Sequence, residues 1–313
     1  MPRLFWRALS CAVIAILLSR SRLAWACSVC GCGDPLLAAG VIAPMPGQLR
    51  LSVDAEYLYA TAQSDGDPNA TEFLAQDTLR LSAAYAPSSA LSLVLQLPFV
   101  RKAWWTNEAG AELAATTNEG LGDMDLGGRW FFWRQMDMVA RKMQNLALSA
   151  GSSLPTGDAG ILVNGQRIDQ HAQLGTGALG PYAGLLYSLG LGDWNLSLNA
   201  TYRYRGTNFQ GYQFGQALAF GAESQWHPID ALALNLNLEG RYADYDHDWS
   251  QGDEALQVET GGTVLDLSPG LGWQLGQNWG IKARVQVPIT TKLFGTQSLS
   301  PTADFSVQYL FNL

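Results

Sequence analysis

Three cysteines crowd into one short stretch, Cys27, Cys30 and Cys32 in CSVCGCGDP, with Asp34 close behind. Thiolates grouped this closely suit a soft metal, Zn or Cu(I), whose shell Asp34 or a newly exposed α-amino group would complete. Oxidation competes with that chemistry. A Cys27–Cys30 bridge leaves Cys32 over, and a Cys30–Cys32 bridge would be strained. Lipid attachment at Cys27 is a third reading, although Ala24-Trp25-Ala26 lacks the usual Leu three residues before the Cys. No His follows Cys30, so the c-type haem attachment pattern is absent. A fourth reading makes the segment a contact or attachment point for a periplasmic, redox or cell-surface protein.

Other groups do not assemble into a catalytic set. His171, His227 and His247 are far apart and no Ser sits in a G-x-S-x-G elbow, so no enzyme is expected. A formal net charge of -8 gives no support to a nucleic-acid surface, which needs a basic face. The acids Asp65, Asp67 and Glu72, then Glu108, Glu112 and Glu119, then Asp244, Asp246, Asp248, Asp253 and Glu254 read as solvated loop residues that concentrate cations.

The remaining charges alternate with apolar residues, and that alternation defines the elements that carry them. Residues 1–26 read as a signal peptide: Arg3 and Arg7, an apolar run from Ala8 to Leu18, then Ala24-Trp25-Ala26 as the cleavage site. Residues 27–47 form the cysteine-containing segment, a plug or a docking arm. No later apolar stretch is long enough for a membrane helix, so a membrane crossing must use strands.

From 48 to 313 the chain repeats one pattern. Leu49, Leu51, Val53, Ala55, Tyr57 and Tyr59 share a parity, against Arg50, Ser52, Asp54 and Glu56. Period two puts the two sets on opposite faces of a strand. The same alternation recurs eleven more times, for example at Leu91–Phe99, Trp194–Tyr204, Leu232–Tyr242, Trp279–Ile289 and Phe305–Leu313. Strand four is read through Met124, Leu126, Trp130 and Phe132; strand eight through Phe214, Leu218, Phe220, Ala222 and Trp226. Short links at 87–90, 134–142, 190–193, 228–230 and 276–278 alternate with longer ones at 62–72, 103–119, 157–172, 206–213, 244–257 and 290–302. The expected architecture is all-β: a transmembrane antiparallel up-and-down β-barrel of twelve strands, with periplasmic turns and extracellular loops. Tyr57, Tyr59, Tyr85, Phe99, Tyr202, Tyr204 and Tyr242 are assigned to one aromatic girdle, and Trp194, Trp226 and Trp279 to the other.

Inward parity then collects the candidate lumen residues Arg50, Asp54, Glu56, Arg80, Asp123, Asp125, Arg129, Arg203, Arg205, Glu223, Glu239, Arg241, Lys282 and Arg284. They either orient a solute in a water-filled path or pair with one another to fill a closed barrel.

The segments GLGDMDLGGRW at 120–130, AGSSLPTG at 150–157 and QLGTG at 173–177 resemble the signatures of an outer-membrane β-barrel transporter family, the MetA-pathway of phenol degradation group. The resemblance implies a barrel from about Leu49 onward that passes small solutes, hydrophobic or aromatic ones among them. The C-terminus, with Tyr309 and Phe311 at alternating positions, resembles the signal read by the barrel-assembly machinery, but ends in Leu313 where Phe is commoner. The expected setting is the Gram-negative outer membrane, with lipid and lipopolysaccharide around the wall and a small solute inside. A barrel that anchors the cysteine segment for metal or partner binding is the alternative.

Overall fold

The computed structural model describes residues 45–63, 71–108, 111–112, 116–163, 165–250, 252–295 and 297–313. The signal peptide and Cys27, Cys30, Cys32 and Asp34 lie outside them. Twelve strands form the wall: β1 (Gln48–Gln63), β2 (Thr71–Ser88), β3 (Leu91–Glu108), β4 (Met124–Asp137), β5 (Lys142–Leu154), β6 (Gly180–Leu191), β7 (Trp194–Arg203), β8 (Ala217–Ile229), β9 (Leu232–Ala243), β10 (Gly262–Leu275), β11 (Trp279–Leu293) and β12 (Thr302–Asn312). Each pairs antiparallel with the next, and β12 returns to β1 from Gln48↔Asn312 to Tyr57↔Ala303, so the cylinder is closed. Just below this seam the Leu313 N–H donates to Gly47 O at 3.0 Å.

Closure leaves every ladder group paired, which hydrocarbon demands. Side-chain placement is inverted relative to a water-soluble protein. Ser82, Gln96, Ser149, Ser197 and Thr201 are buried inside, while large apolar residues cover the outside. Leu95, Leu198 and Leu236 are 40, 56 and 50% exposed, with no second sheet over them. A continuous apolar exterior of this kind is a lipid-facing surface, and the chain is a membrane-spanning β-barrel. Among the described residues no helix is long and apolar enough to cross a membrane; the crossing is by strands.

Tight links lie at one end, at 89–90, 138–141, 192–193, 230–231 and 276–278, and long ones at the other. The two-residue turn after β6 needs a positive φ, which Gly192 supplies at +56°. Trp194 and Trp226 stack at this end with centroids 5.9 Å apart, near the Trp279–Tyr309–Phe311 cluster. Tyr85 belongs here too, because it pairs with Leu49 at the foot of β1; its assignment to the far girdle is corrected. Phe99 sits at mid-wall, opposite Leu79, which in turn pairs with Ala55.

Three further expectations change. The link 103–119 is largely sheet: β3 continues to Glu108 and pairs with a short strand, Thr116–Leu121, from Phe99↔Leu121 to Trp104↔Thr116. A bulge lies between Phe131 and Trp133 against β5; Phe131 keeps its inward parity, and the extra residue leaves Phe132 and Trp133 on the outside together. Phe214 is not a lipid-facing residue of β8. That strand begins at Ala217, and Phe214 is buried under the long loops against His171 and Tyr212.

Candidate functional site: a charged lumen under an inward-folded loop

The period-two parity of the wall delivers the charges to the inside, where they pair. Arg80 stands 3.6 Å from Glu56 and Arg203 is 3.3 Å from Asp125. Arg284 bridges Glu239 at 2.6 Å and Asp304 at 2.5 Å, and Arg241 pairs with the buried Asp266. The Arg203 guanidinium also lies 5.3 Å from the centroid of the Tyr182 ring. Pairing lets these charges stand inside the barrel without the desolvation penalty of isolated ions.

Two cavities occupy the interior. The larger, about 540 Å³, reaches from Asp230 and Gln308 near the tight turns up to Glu56 and Arg241. The smaller, about 230 Å³, lies under the long loops beside Gln170, His171 and Thr176. Glu56, Arg80, Asp125 and Arg203 line both, so the two spaces adjoin at the ion pairs Arg80–Glu56 and Arg203–Asp125.

The roof of the smaller cavity is the segment 155–179, which folds inward instead of extending into water. Asp123 ties it down: its carboxylate accepts from Gly157 N at 3.0 Å, Thr176 N at 2.7 Å and Thr176 Oγ1 at 2.6 Å. Gly157 and Gly175 meet backbone to backbone beside Gly122 at the same point, and a Cβ on Gly157 or Gly175 would collide. The three family-like motifs at 120–130, 150–157 and 173–177 therefore converge on one knot around Asp123. Deeper in the loop, Lys102 of β3 donates from Nζ to His171 O at 2.7 Å and Gln173 O at 2.6 Å. Gln173 is fully buried and bonds Ile161 N and O and Ile168 O, holding the loop's two limbs together.

His171 carries the other tether. Its Nε2 lies 2.9 Å from Asp246 Oδ2 in the loop after β9, a close charge contact rather than an aligned hydrogen bond. Phe214 and Tyr212 meet the imidazole edge-on with centroids at 5.3 and 6.4 Å. Asp246 further accepts from Tyr212 Oη and Gly215 N, each at 2.7 Å. Burial works against a charged His171, but Asp246 and, behind it, Asp169 outweigh burial and hold its pKa above the ordinary value. Burial likewise works against an ionised Asp246, yet His171, Gly215 N–H and the Tyr212 hydroxyl bring its pKa below the usual carboxylate range. Asp246 is 1% exposed, which corrects its reading as a solvated loop acid.

Of the lumen residues read from parity, Arg50, Asp54, Glu56, Arg80, Arg203, Glu239, Arg241, Lys282 and Arg284 line the larger cavity. Asp123 lines the smaller one and serves the loop. Arg129 faces inward but lines neither: it is 1% exposed, packed in the wall, with Nε donating to Ser149 Oγ at 3.2 Å. Asp266 and Asp304 went unread, although each precedes an outward apolar residue, Leu267 and Phe305, and parity alone would place them inside. Lys102 continues the inward parity of β3 beyond Val100, whereas His171 and Asp246, in loops, had no periodic signal because their partners are far apart in the chain.

Comparison with known proteins agrees with this geometry. No curated protein matches the chain. An outer-membrane channel of Pseudomonas putida F1 is similar in structure, at TM-score 0.63 and 14% identity, covering 89% of this chain and 99% of that one. The translocator domain of the autotransporter NalP of Neisseria meningitidis and the NanC porin are looser likenesses, at TM-scores 0.44 and 0.43. The first is 14% identical and covers 88% of this chain and 91% of that one; the second is 10% identical and covers 84% and 100%. The family model described as "Putative MetA-pathway of phenol degradation" matches residues 38–298, which takes in all three converging motifs, and the chain belongs to that family.

Proposed function

We propose that the barrel is a passive diffusion channel for small polar solutes, narrowed at its outer mouth by the loop 155–179. The observation that carries this reading is the lining shared at Glu56, Arg80, Asp125 and Arg203, where the two cavities adjoin along the barrel. No energy source or covalent step is required: a solute exchanges its hydration for the charged and amide groups of the wall and leaves at the other end.

The family resemblance implies hydrophobic or aromatic solutes, but the lining favours polar ones. A hydrocarbon would strip water from Arg50, Asp54 and Lys282 without replacing its hydrogen bonds, at a cost of several kcal/mol. Lipid and lipopolysaccharide would surround the wall, and Tyr309 and Phe311 support delivery by the barrel-assembly machinery.

The test is conductance of the purified, processed protein in planar bilayers, with swelling of proteoliposomes in small sugars as a second readout. Discrete, stable conductance steps are expected. Silence in both assays would end the channel reading.

A further inference from the structure

We infer that the larger cavity holds a binding site for a small zwitterion, a primary ammonium joined to a carboxylate, a proposal that rests on the channel reading and gives it a solute class. Most lumen charges are already held in ion pairs. Lys282 of β11 and Glu223 of β8 are different: neither has a hydrogen bond or ion pair among the described residues, and both line the cavity. Lys282 is exposed to the lumen. They are in electrostatic range of each other without closing into an ion pair, which leaves both able to engage a ligand between them.

Between them the wall is thin. β10 turns Ser268, Gly270 and Gly272 inward, with no long side chain, and the Lys282 stem leans over Gly272. Of these Gly272 lines the cavity, which has a donor flank at Lys282 and an acceptor flank at Glu223.

The acceptor flank is built from more than one residue. Glu223 is the register partner of Asn237, and Asn235 lies two residues away on the same face of β9. The side-chain oxygens of Asn235 and Asn237 are buried and have no donor, and Asn237 as a whole is 9% exposed. A buried acceptor left unmade is costly, and a rotation of the amide turns it to a ligand. One carboxylate with two amide oxygens suits the three N–H groups of a primary ammonium. On the other flank the Lys282 ammonium, with Arg50 in electrostatic range, suits a carboxylate. Asp54 is the second acid in range of Lys282; Arg284 is in range too but is taken up by Glu239 and Asp304, so outside that cluster two cations, Lys282 and Arg50, balance two anions, Glu223 and Asp54. A balanced site favours a dipolar solute over either single-charge ion.

The experiment is calorimetric titration of the full processed protein, refolded in detergent, with γ-aminobutyrate, butyrate and butylammonium. The zwitterion should bind about tenfold or more tighter than either single-charge probe, since each loses one charge-assisted set of contacts. Lys282→Met should reduce γ-aminobutyrate to the affinity of butylammonium, and Glu223→Gln to that of butyrate. Equal binding of the three probes, binding by none, or variants that hold γ-aminobutyrate like the native protein would overturn the site. If the variants fail to fold, the three probes on the native protein still decide. Conductance is read separately. A conducting barrel without zwitterion preference sinks only the site, and a silent barrel sinks only the channel reading.

Discussion

His171 Nε2 and Asp246 Oδ2, 2.9 Å apart, join the loop after β5 to the loop after β9 across the mouth of the barrel. This pair makes the roof sensitive to pH, and the sign follows from the two shifts. A raised His171 pKa adds stability below the ordinary imidazole value and loses it as pH climbs through the raised value. A lowered Asp246 pKa adds stability above the ordinary carboxylate value and loses it as pH falls through the lowered one. The tether therefore holds between the lowered Asp246 value and the raised His171 value, and releases as pH climbs through the latter. Open-channel current noise, stepped from neutral to alkaline pH, should rise. His171→Phe and Asp246→Asn should flatten that dependence; an identical profile in both variants would contradict the tether.

Asp123 should matter more for the loop than for the solute. Asp123→Ala removes three charge-assisted hydrogen bonds to Gly157 and Thr176, each worth about 1.5–3 kcal/mol when formed to a charged group. Limited proteolysis within 155–179 should accelerate at least tenfold while the barrel core stays protected. Asp123→Asn, which keeps one acceptor, should fall between.

Tyr182 crosses the paired glycines Gly127 and Gly151, and a Cβ at either would overlap its hydroxyl. Gly127→Ala should cost about 1–3 kcal/mol of stability, read as a lower urea midpoint in detergent. Adding Tyr182→Phe should recover part of the loss. Gly151→Ala should be rescued less, because its Cβ also meets Leu126 O.

The wall predicts opposite outcomes for neighbouring residues. Leu198→Arg, near the middle of β7 and facing lipid, should cost about 2–4 kcal/mol in a bilayer. Asn199→Arg, on the inner face, should leave folding nearly unchanged and alter ion selectivity instead. Equal penalties at the two positions would argue against the lipid-facing assignment.

The wall was legible because lipid imposes one rule on every strand. Leu95, Leu198 and Leu236 belong to segments far apart, yet each obeys the same alternation. The roof had no such rule. Asp123, His171 and Asp246 are held by partners tens of residues away, and polar loop sequence carries no period that reveals them. Phe214 was misplaced for the related reason that its outward parity continues β8 past the point where the ladder ends. The glycine-rich motifs were visible as a family likeness, but their meeting point around Asp123 required the fold.

Most ion pairs in the lumen run around the circumference. Arg80–Glu56 joins β2 to β1, Arg241–Asp266 joins β9 to β10, and Arg284–Asp304 joins β11 to β12. They act as hoops on a cask, not as spokes of a wheel. A spoke must break to let something through, whereas a hoop only strengthens the rim; Arg203–Asp125, from β7 to β4 where the two cavities adjoin, is the spoke that traffic down the middle has to pass.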